Sequence, residues 1–315
     1  MKINQHVPLA PLNWFRTGGA AEYCCEPVTD EDFREALRYA DQEDMDMFVL
    51  GEGANILISD AGFPGLVIRP QNTEKRVVEG GQPGDPVRIH AGGGAEMQDV
   101  IDYCLERNII GSEEFSGIPG TVGGAVYINL HYFEHLLSEF LVSARVMHRA
   151  SGAIEEVDTG WFQFGYDTSR LHKKEHILLD AEFVLRQGNE TEGAYARGRR
   201  DETIRHRERR YPRSHTCGSF FRNFPEEEVS LEVNGTLMIF VAYYLDKLGI
   251  KGELSVGDAI VSFQHANMIV NRGEATSEDI AGLARKMQEL VRDRYGITPQ
   301  PECQLVGFRE YPLLT

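Results

Sequence analysis

Ser116-Gly-Ile-Pro-Gly-Thr-Val-Gly-Gly-Ala125 is the stretch on which the fold turns. Four glycines, a proline and a threonine in ten residues exceed what an ordinary connection needs. Glycine brings backbone against a flat or phosphorylated ligand with no Cβ in the way. The competing reading is a buried loop packed tightly on a sheet. Val126-Tyr-Ile-Asn129 follows at once. A second glycine turn lies upstream, Gly51-Glu-Gly-Ala-Asn-Ile-Leu-Ile-Ser-Asp60, after the apolar run Met47–Leu50. Strand, turn, strand leaves successive N–H groups free, a nest suited to phosphate oxygens. By itself G-x-G is more often a tight turn. It fits neither G-x-G-x-x-G nor G-x-x-x-x-G-K-[ST], and no helical pattern follows directly.

Around these turns, short runs rich in Val, Ile, Leu and Phe predict strands at Ala21–Cys25, Met47–Leu50, Ile56–Ile58, Leu66–Ile68, Val87–Ala91, Phe140–His148, Ile154–Asp158 and Ile177–Leu185. Ser151-Gly152 and Asn234-Gly235 predict hairpin turns. Thr29 and its acidic successors open a helix that runs to about Asp44. Glu96–Arg107 repeats apolar residues at helical spacing. Thr276, with Asp279 three residues on, starts another helix that Gly296 ends. The class is α+β with mixed sheets. Gly188–Gly193 reads as a polar loop, and a domain boundary is placed near residue 190.

The chain has 315 residues and a net charge of −17. That length predicts two or three domains with large cores. The charge argues against nucleic acid and against an anionic membrane surface. It does not exclude an anionic small ligand, because a local pocket can oppose the global field. No apolar run reaches the roughly 20 residues of a membrane helix, and no signal region opens the chain. A cytoplasmic protein is expected. Cys24, Cys25, Cys104, Cys217 and Cys303 form no C-x-x-C pair, so buried thiols are expected and no metal site.

Four further segments could carry chemistry. Thr216-Cys-Gly-Ser-Phe-Phe-Arg-Asn223 sets Ser219 beside a glycine, but not as G-x-S-x-G. Val261–Asn271 holds His265 among apolar neighbours, where a satisfied structural histidine is the default. Pro299–Cys303 holds Glu302, by default an ordinary exposed carboxylate. Ala194–Arg213 is rich in arginine, either to receive phosphates or as a solvated helix balanced by Glu202 and Glu208.

Taken in order, these segments resemble the UDP-N-acetylenolpyruvoylglucosamine reductase family, and the resemblance covers nearly the whole chain. Asn13-Trp-Phe-Arg-Thr-Gly-Gly19 resembles N-T-F-[RK]-x-G-G. Leu50–Asp60 resembles L-G-x-G-[SA]-N-[LIV]-L-[VI]-x-D, and Ser116–Asn129 resembles [SA]-G-I-P-G-T-V-G-G-A-x-x-x-N. Gly218–Asn223, Gly249–Gly252, Ser262–Asn267, Val270-Asn271 and Pro301-Glu302 resemble G-S-x-F-[KR]-N, G-L-K-G, S-x-x-H-A-N, V-N and the closing P-E.

The resemblance implies an FAD-binding fold of the vanillyl-alcohol oxidase type in two subdomains, 1–72 and 73–200. It implies a substrate-binding α+β domain over 201–300, and a C-terminal segment, 301–315, that returns to the FAD-binding region. It implies NADPH as reductant and a nucleotide-sugar substrate in peptidoglycan precursor synthesis; a monomer is expected. Carried over, Gly51, Gly53, Ala54, Asn55 and Ile56 would hold FAD, with Gly117, Ile118, Pro119, Gly120, Thr121, Gly123, Gly124 and Ala125 along the cofactor and Arg16 in contact. Hydride from the reduced flavin would reach the enolpyruvyl methylene carbon. Ser219 would protonate the neighbouring carbon, and Glu302 would assist that delivery or polarise the enol. Tyr166, Asn223 and His265 would contact substrate.

Four departures matter. The pattern F-x-Y-R-x-S becomes Phe164-Gly-Tyr-Asp-Thr-Ser169, so Asp167 replaces the arginine at the substrate's carboxylate end. Losing such a contact costs about 2–4 kcal/mol. Arg170 is the expected substitute. The usual A-G-A-Y-G-G-E becomes Leu130-His-Tyr-Phe-Glu-His-Leu136, which makes His131 and Tyr132 new groups that either contact a ligand or pack. The Q-P before the serine segment is Tyr211-Pro212, and Phe224–Gly235 lengthens the next connection. A diverged flavoenzyme with another substrate, or a non-catalytic flavin-binding homologue, is the alternative.

Overall fold

The Asp32 amide donates to the Thr29 hydroxyl and the Thr29 amide donates to the Asp32 carboxylate, closing a capping box on α1 (Asp30–Gln42). The computed structural model describes all 315 residues and divides into two units. The first comprises residues 1–5, 23–52 and 65–207; the second comprises 6–22, 53–64 and 208–315.

In the first unit, a four-stranded sheet runs in the order Ile3–Pro8, Ala20–Cys25, Phe63–Ile68, Asp46–Val49, the last two parallel. A larger antiparallel sheet runs in the order Ile154–Asp158, Leu141–His148, His176–Gln187, Pro86–Gly92, Lys75–Glu79. Phe33, Ala36, Leu37 and Ala40 of α1 pack with Leu66 and Ile68 of the first sheet and Met147, Ile177 and Leu179 of the second. Arg145 adds a polar tie, donating at 2.9 Å to Asp30 at the start of α1 and at 2.9 Å to Asp180 in the sheet.

Three more helices belong to this unit: α2 (Met97–Leu105), α3 (Val122–Tyr127) and α4 (Glu190–Arg210). The predicted loop Gly188–Gly193 is in part the first turn of α4. Asn189 accepts from the Glu192 amide at 3.0 Å while Glu192 accepts from the Asn189 amide at 2.9 Å, so the polar cluster is a cap. Helix α4 runs unbroken through residues 190–210. Its arginines are largely engaged within the protein: Arg200 grips Asp102 at 2.7 and 3.0 Å, and Arg199 grips Glu114 at 2.8 and 3.1 Å. Arg205 pairs with Glu202 and Arg213 with Glu208, as the charge-balanced reading expects.

The second unit holds α5 (Val241–Lys247) and α6 (Ser277–Tyr295) around a core that includes Phe15, Phe220, Phe221, Tyr244, Leu283 and Met287. Thr276 and Asp279 form the expected capping box, and Gly296 ends α6 at φ +76°. Ile56–Ile58 pairs in parallel with Gln304–Val306, and Ser255–Val256, Ala259–Val261 and Ile269–Asn271 form a small antiparallel sheet. The extra connection folds as a hairpin, Glu232–Val233 with Thr236–Leu237, turning at Asn234 and Gly235. Val229, Leu231, Leu237 and Met238 anchor it to the core. All five cysteines are free thiols and buried.

Candidate active site

The glycine run is not a loop throughout. Thr121 has an extended backbone and its hydroxyl accepts from the Gly124 amide at 3.2 Å, which caps the helix Val122–Tyr127. The sequence expectation of a continuous loop missed this turn, because two adjacent glycines disfavour a helix unless a cap and tertiary contacts hold it. Contacts do hold it: the Val122 amide donates to Ala95 and the Gly123 amide to Gly93, both at 2.8 Å. Gly51 lies against the cap. A Cβ built there would stand 2.6 Å from the Thr121 hydroxyl, so the glycine is a requirement of close approach. Arg207 donates to the Gly117 carbonyl at 3.0 Å, and the Gly117 amide donates to Gln98 at 2.9 Å.

In the second unit, Gly53 has φ +67°, and a Cβ there would fall 2.7 Å from the Asn13 backbone. Asn13 holds the opening turn, donating to the Leu9 and Thr17 carbonyls at 2.8 Å while accepting from the Arg16 amide at 3.0 Å. Arg16 itself is exposed, at φ +61°, with its guanidinium on the Pro11 carbonyl. Asn55 keeps a buried side-chain oxygen with no partner in the protein. Ala54 is half-buried, and Ile56 begins the strand that pairs with Gln304.

Ser219 and Glu302 come together in this unit. Ser219 forms an antiparallel bridge to Met268, and Phe221 one to Pro301. The Phe220 amide donates to Asn267 at 2.8 Å, and the Glu302 amide donates to Phe220 at 2.9 Å. The serine segment is therefore a short strand laid between the other two. Asn267 pins it: 3% exposed, it accepts from the Phe221 amide at 3.1 Å and donates to the Phe221 carbonyl at 2.7 Å. Asn223 continues the same segment.

His265 sits in the turn before Asn267. Its Nδ1 accepts from the Asn267 amide at 3.3 Å, which leaves Nε2 as the protonated nitrogen. Burial first, then Arg210 and Lys251, press its pKa down to about 4, so it is a neutral donor near pH 7. Its ring meets Tyr211 edge-on at 5.5 Å.

The family model "FAD binding domain" matches residues 21–158, and "UDP-N-acetylenolpyruvoylglucosamine reductase, C-terminal domain" matches residues 210–306. A relative named UDP-N-acetylenolpyruvoylglucosamine reductase from Synechococcus sp. (strain JA-3-3Ab) is 33% identical over 317 residues, covering 100% of this chain and 94% of the relative. One of the same name from Solibacter usitatus is 32% identical, covering 98% and 97%. The crystal structure of UDP-N-acetylenolpyruvylglucosamine reductase (MurB) from Thermus caldophilus superposes with a TM-score of 0.77 at 26% identity, covering 97% of this chain and 99% of that one.

The chain belongs to the UDP-N-acetylenolpyruvoylglucosamine reductase family. Its fold is an FAD-binding domain joined to the family's C-terminal domain, and FAD and NADPH are the family's cofactors. The residues fit FAD in one respect: Asn55, beside the glycine turn, keeps a buried side-chain oxygen with no partner in the protein.

Against that family frame, two of the four departures lie in the first unit, and Tyr211-Pro212 and Phe224–Gly235 lie in the second. His131–Tyr132 pairs with His135–Leu136 as a small hairpin. Tyr132 packs, buried in the core, with its hydroxyl 3.2 Å from His206. His131 is half-buried instead, its Nδ1 3.3 Å from Asp167 and its ring 5.0 Å from that of exposed Tyr166. Both Asp167 oxygens are buried without a hydrogen bond, on a backbone at φ +53°. Arg170 lies over Trp161 at 4.5 Å with its Nε buried and unpartnered. Ser169 ties this loop to the end of α3 through the Tyr127 carbonyl at 2.7 Å.

No helix is long and apolar enough to cross a membrane. The asparagine pins were missed by sequence reasoning. Their signal was an amide among apolar neighbours, able to give and take a hydrogen bond at once.

Proposed function

We propose that this chain reduces UDP-N-acetylglucosamine enolpyruvate to UDP-N-acetylmuramate, with NADPH as reductant. The observation that carries the reading is the placing of Ser219 and Glu302 on hydrogen-bonded neighbouring segments, with Asn267 fixing the backbone between them. The chemistry FAD supplies when bound is hydride transfer from NADPH to the enolpyruvyl methylene carbon. Gly51, Gly53, Ala54, Asn55 and Ile56, with residues 117–125 and Arg16, are the groups assigned to hold it. Ser219 gives its proton to the adjacent carbon, and Glu302 supports that donation. A serine hydroxyl is a weak acid, so the donors around its oxygen matter most as the alkoxide develops. Tyr166, Asn223 and His265 are assigned to substrate. Arg170, whose Nε has no partner in the protein, is assigned to the substrate carboxylate in place of the residue lost at Asp167. A monomer acting in the cytoplasm, without nucleic acid, completes the reading.

The test is anaerobic. NADPH should bleach the flavin band, and the enolpyruvyl substrate should restore it. In Ser219→Ala the first step should persist while the second slows by roughly 10²–10⁴-fold. A second reading, the same fold serving another acceptor, draws on the buried Asp167 beside His131. It is favoured if the band bleaches but the enolpyruvyl substrate fails to restore it.

A further inference from the structure

In the second unit, three buried side-chain oxygens have no partner in the protein: Thr17 Oγ1, Asn55 Oδ1 and Thr216 Oγ1. They are far apart in sequence, and backbone ties gather them. The Trp14 amide donates to the Gly53 carbonyl at 3.0 Å, which brings the Asn55 segment to the opening turn. Asn271, 1% exposed, donates through Nδ2 to the Phe15 carbonyl at 2.8 Å and through its amide to the His215 carbonyl at 2.9 Å. That brings the Thr216 segment to the same turn. Each unpaired oxygen thus lies within two residues of a tie to Trp14 or Phe15. The polar groups that build the turn are satisfied. Asn13 donates twice and accepts once, and Asn271 Oδ1 accepts from the Gly273 and Ala275 amides at 2.7 and 2.9 Å. Thr17 and Thr216 are no less buried, at 3% and 4% exposed, yet their hydroxyls are left over. A fold that pairs its structural amides and strands three oxygens in one place has hydrogen-bonding capacity reserved for a ligand.

The chemistry of that ligand is bounded. A threonine hydroxyl gives or takes a hydrogen bond, whereas the Asn55 oxygen only takes one. A diphosphate at neutral pH offers acceptors alone and cannot serve Asn55. A ring edge or polyol chain that carries N–H, O–H and C=O groups serves all three. Thr216 stands three residues before Ser219, the residue assigned to the proton step, so it belongs to the segment that serves the reacting end of the cofactor. We propose that Thr17 and Thr216, together with Asn55, bind the riboflavin half of FAD through its ring edge and polyol chain. This rests on the FAD reading above and adds two residues to it. The hydroxyls are unpaired in the flavin-free chain and paired in the loaded one, so removing either acts on the two states with opposite sign. Valine, of nearly the same size, relieves an unpaired buried group in the first state and strips a hydrogen bond from the second.

The experiment compares Thr17→Val and Thr216→Val with the wild-type full chain. Flavin fluorescence reads the binding of FAD and of riboflavin, and the displacement of FAD by ADP. Each variant should bind FAD and riboflavin about two- to tenfold more weakly, with the ADP displacement constant unchanged. The ADP arm decides where riboflavin binds below detection. Freed of flavin, each variant should unfold at a higher urea concentration than the wild type. Thr17→Ser and Thr216→Ser, which keep the hydroxyl, should hold FAD as the wild type does, and they serve where a valine variant fails to load. Unchanged FAD affinity in either valine variant, a loss shared equally by ADP, or a serine variant as weak as its valine counterpart overturns the proposal. A wild-type chain that binds no flavin overturns the FAD reading itself, a result distinct from a loaded chain indifferent to either hydroxyl.

Discussion

Gly51→Ala tests whether the 116–125 glycine run and the Gly51–Gly53 turn are one mechanical unit. The added Cβ would stand 2.6 Å from the Thr121 hydroxyl and 3.4 Å from its methyl. The hydroxyl cannot simply rotate away, because it accepts the Gly124 amide and caps α3. Overpacking of this kind costs about 1–3 kcal/mol. Thr121→Ala removes the cap at a cost of about 1 kcal/mol. If the two residues were independent, the double variant would lose about 3 kcal/mol, the sum of a mid-range clash and the cap. The geometry predicts otherwise. With the hydroxyl gone, the nearest remaining Thr121 atom is Cβ at 3.5 Å, ordinary contact. The double variant should then lose only the cap, about 1 kcal/mol, leaving a coupling of about 2 kcal/mol. Urea unfolding of the four proteins, each saturated with FAD and then each diluted free of it, measures that cycle. Additivity within about 0.5 kcal/mol would refute the reasoning.

Asn267→Ala should cost about 3 kcal/mol, since it strands the amide and the carbonyl of buried Phe221 together; urea unfolding within about 0.5 kcal/mol of wild type would show that the pin is dispensable. Arg170→Ala should abolish turnover while FAD stays bound, and unchanged turnover would remove Arg170 from the substrate's carboxylate end. His265 gives an acid-side signature. Its folded pKa of about 4 lies below the ordinary histidine value, so the unfolded chain binds the proton first as pH falls. Stability is full above about pH 6.5 and declines toward about pH 4, by up to about 3 kcal/mol from this residue. His265→Asn should flatten that decline in thermal unfolding between those two values; an identical acid limb would contradict a buried neutral imidazole.

What the sequence revealed followed from how local each signal was. The helix starts at Thr29 and Thr276 and the Asn234-Gly235 turn are decided within four residues, and the structure forms them there. Asn189 and Glu192 form a box of the same kind, but the polar residues around it read as loop, which put the start of α4 too late. The helix at Val122–Tyr127 was hidden for the opposite reason. Its propensity is poor, and Gly93 and Ala95, nearly thirty residues away, hold it. Motif order pointed to Ser219 and Glu302 as a pair, yet it could not reveal Phe220 as the hinge of their pairing, which is a backbone matter.

Asn129 shows why two separate-looking departures are one. Its Nδ2 donates to the Gly165 carbonyl at 3.3 Å, two residues before Asp167, and its Oδ1 accepts from the Ser138 amide at 3.1 Å, just past the hairpin that carries His131. One buried amide therefore fixes both segments, and His131 and Asp167 face each other at 3.3 Å because of it. Neither Asp167 oxygen has a hydrogen bond, and the polar group that faces them is the His131 ring nitrogen. The small residues expected at Leu130–Leu136 could not have offered that partner. The changes at residues 130–136 and 167 are better understood as one coupled change within the first unit.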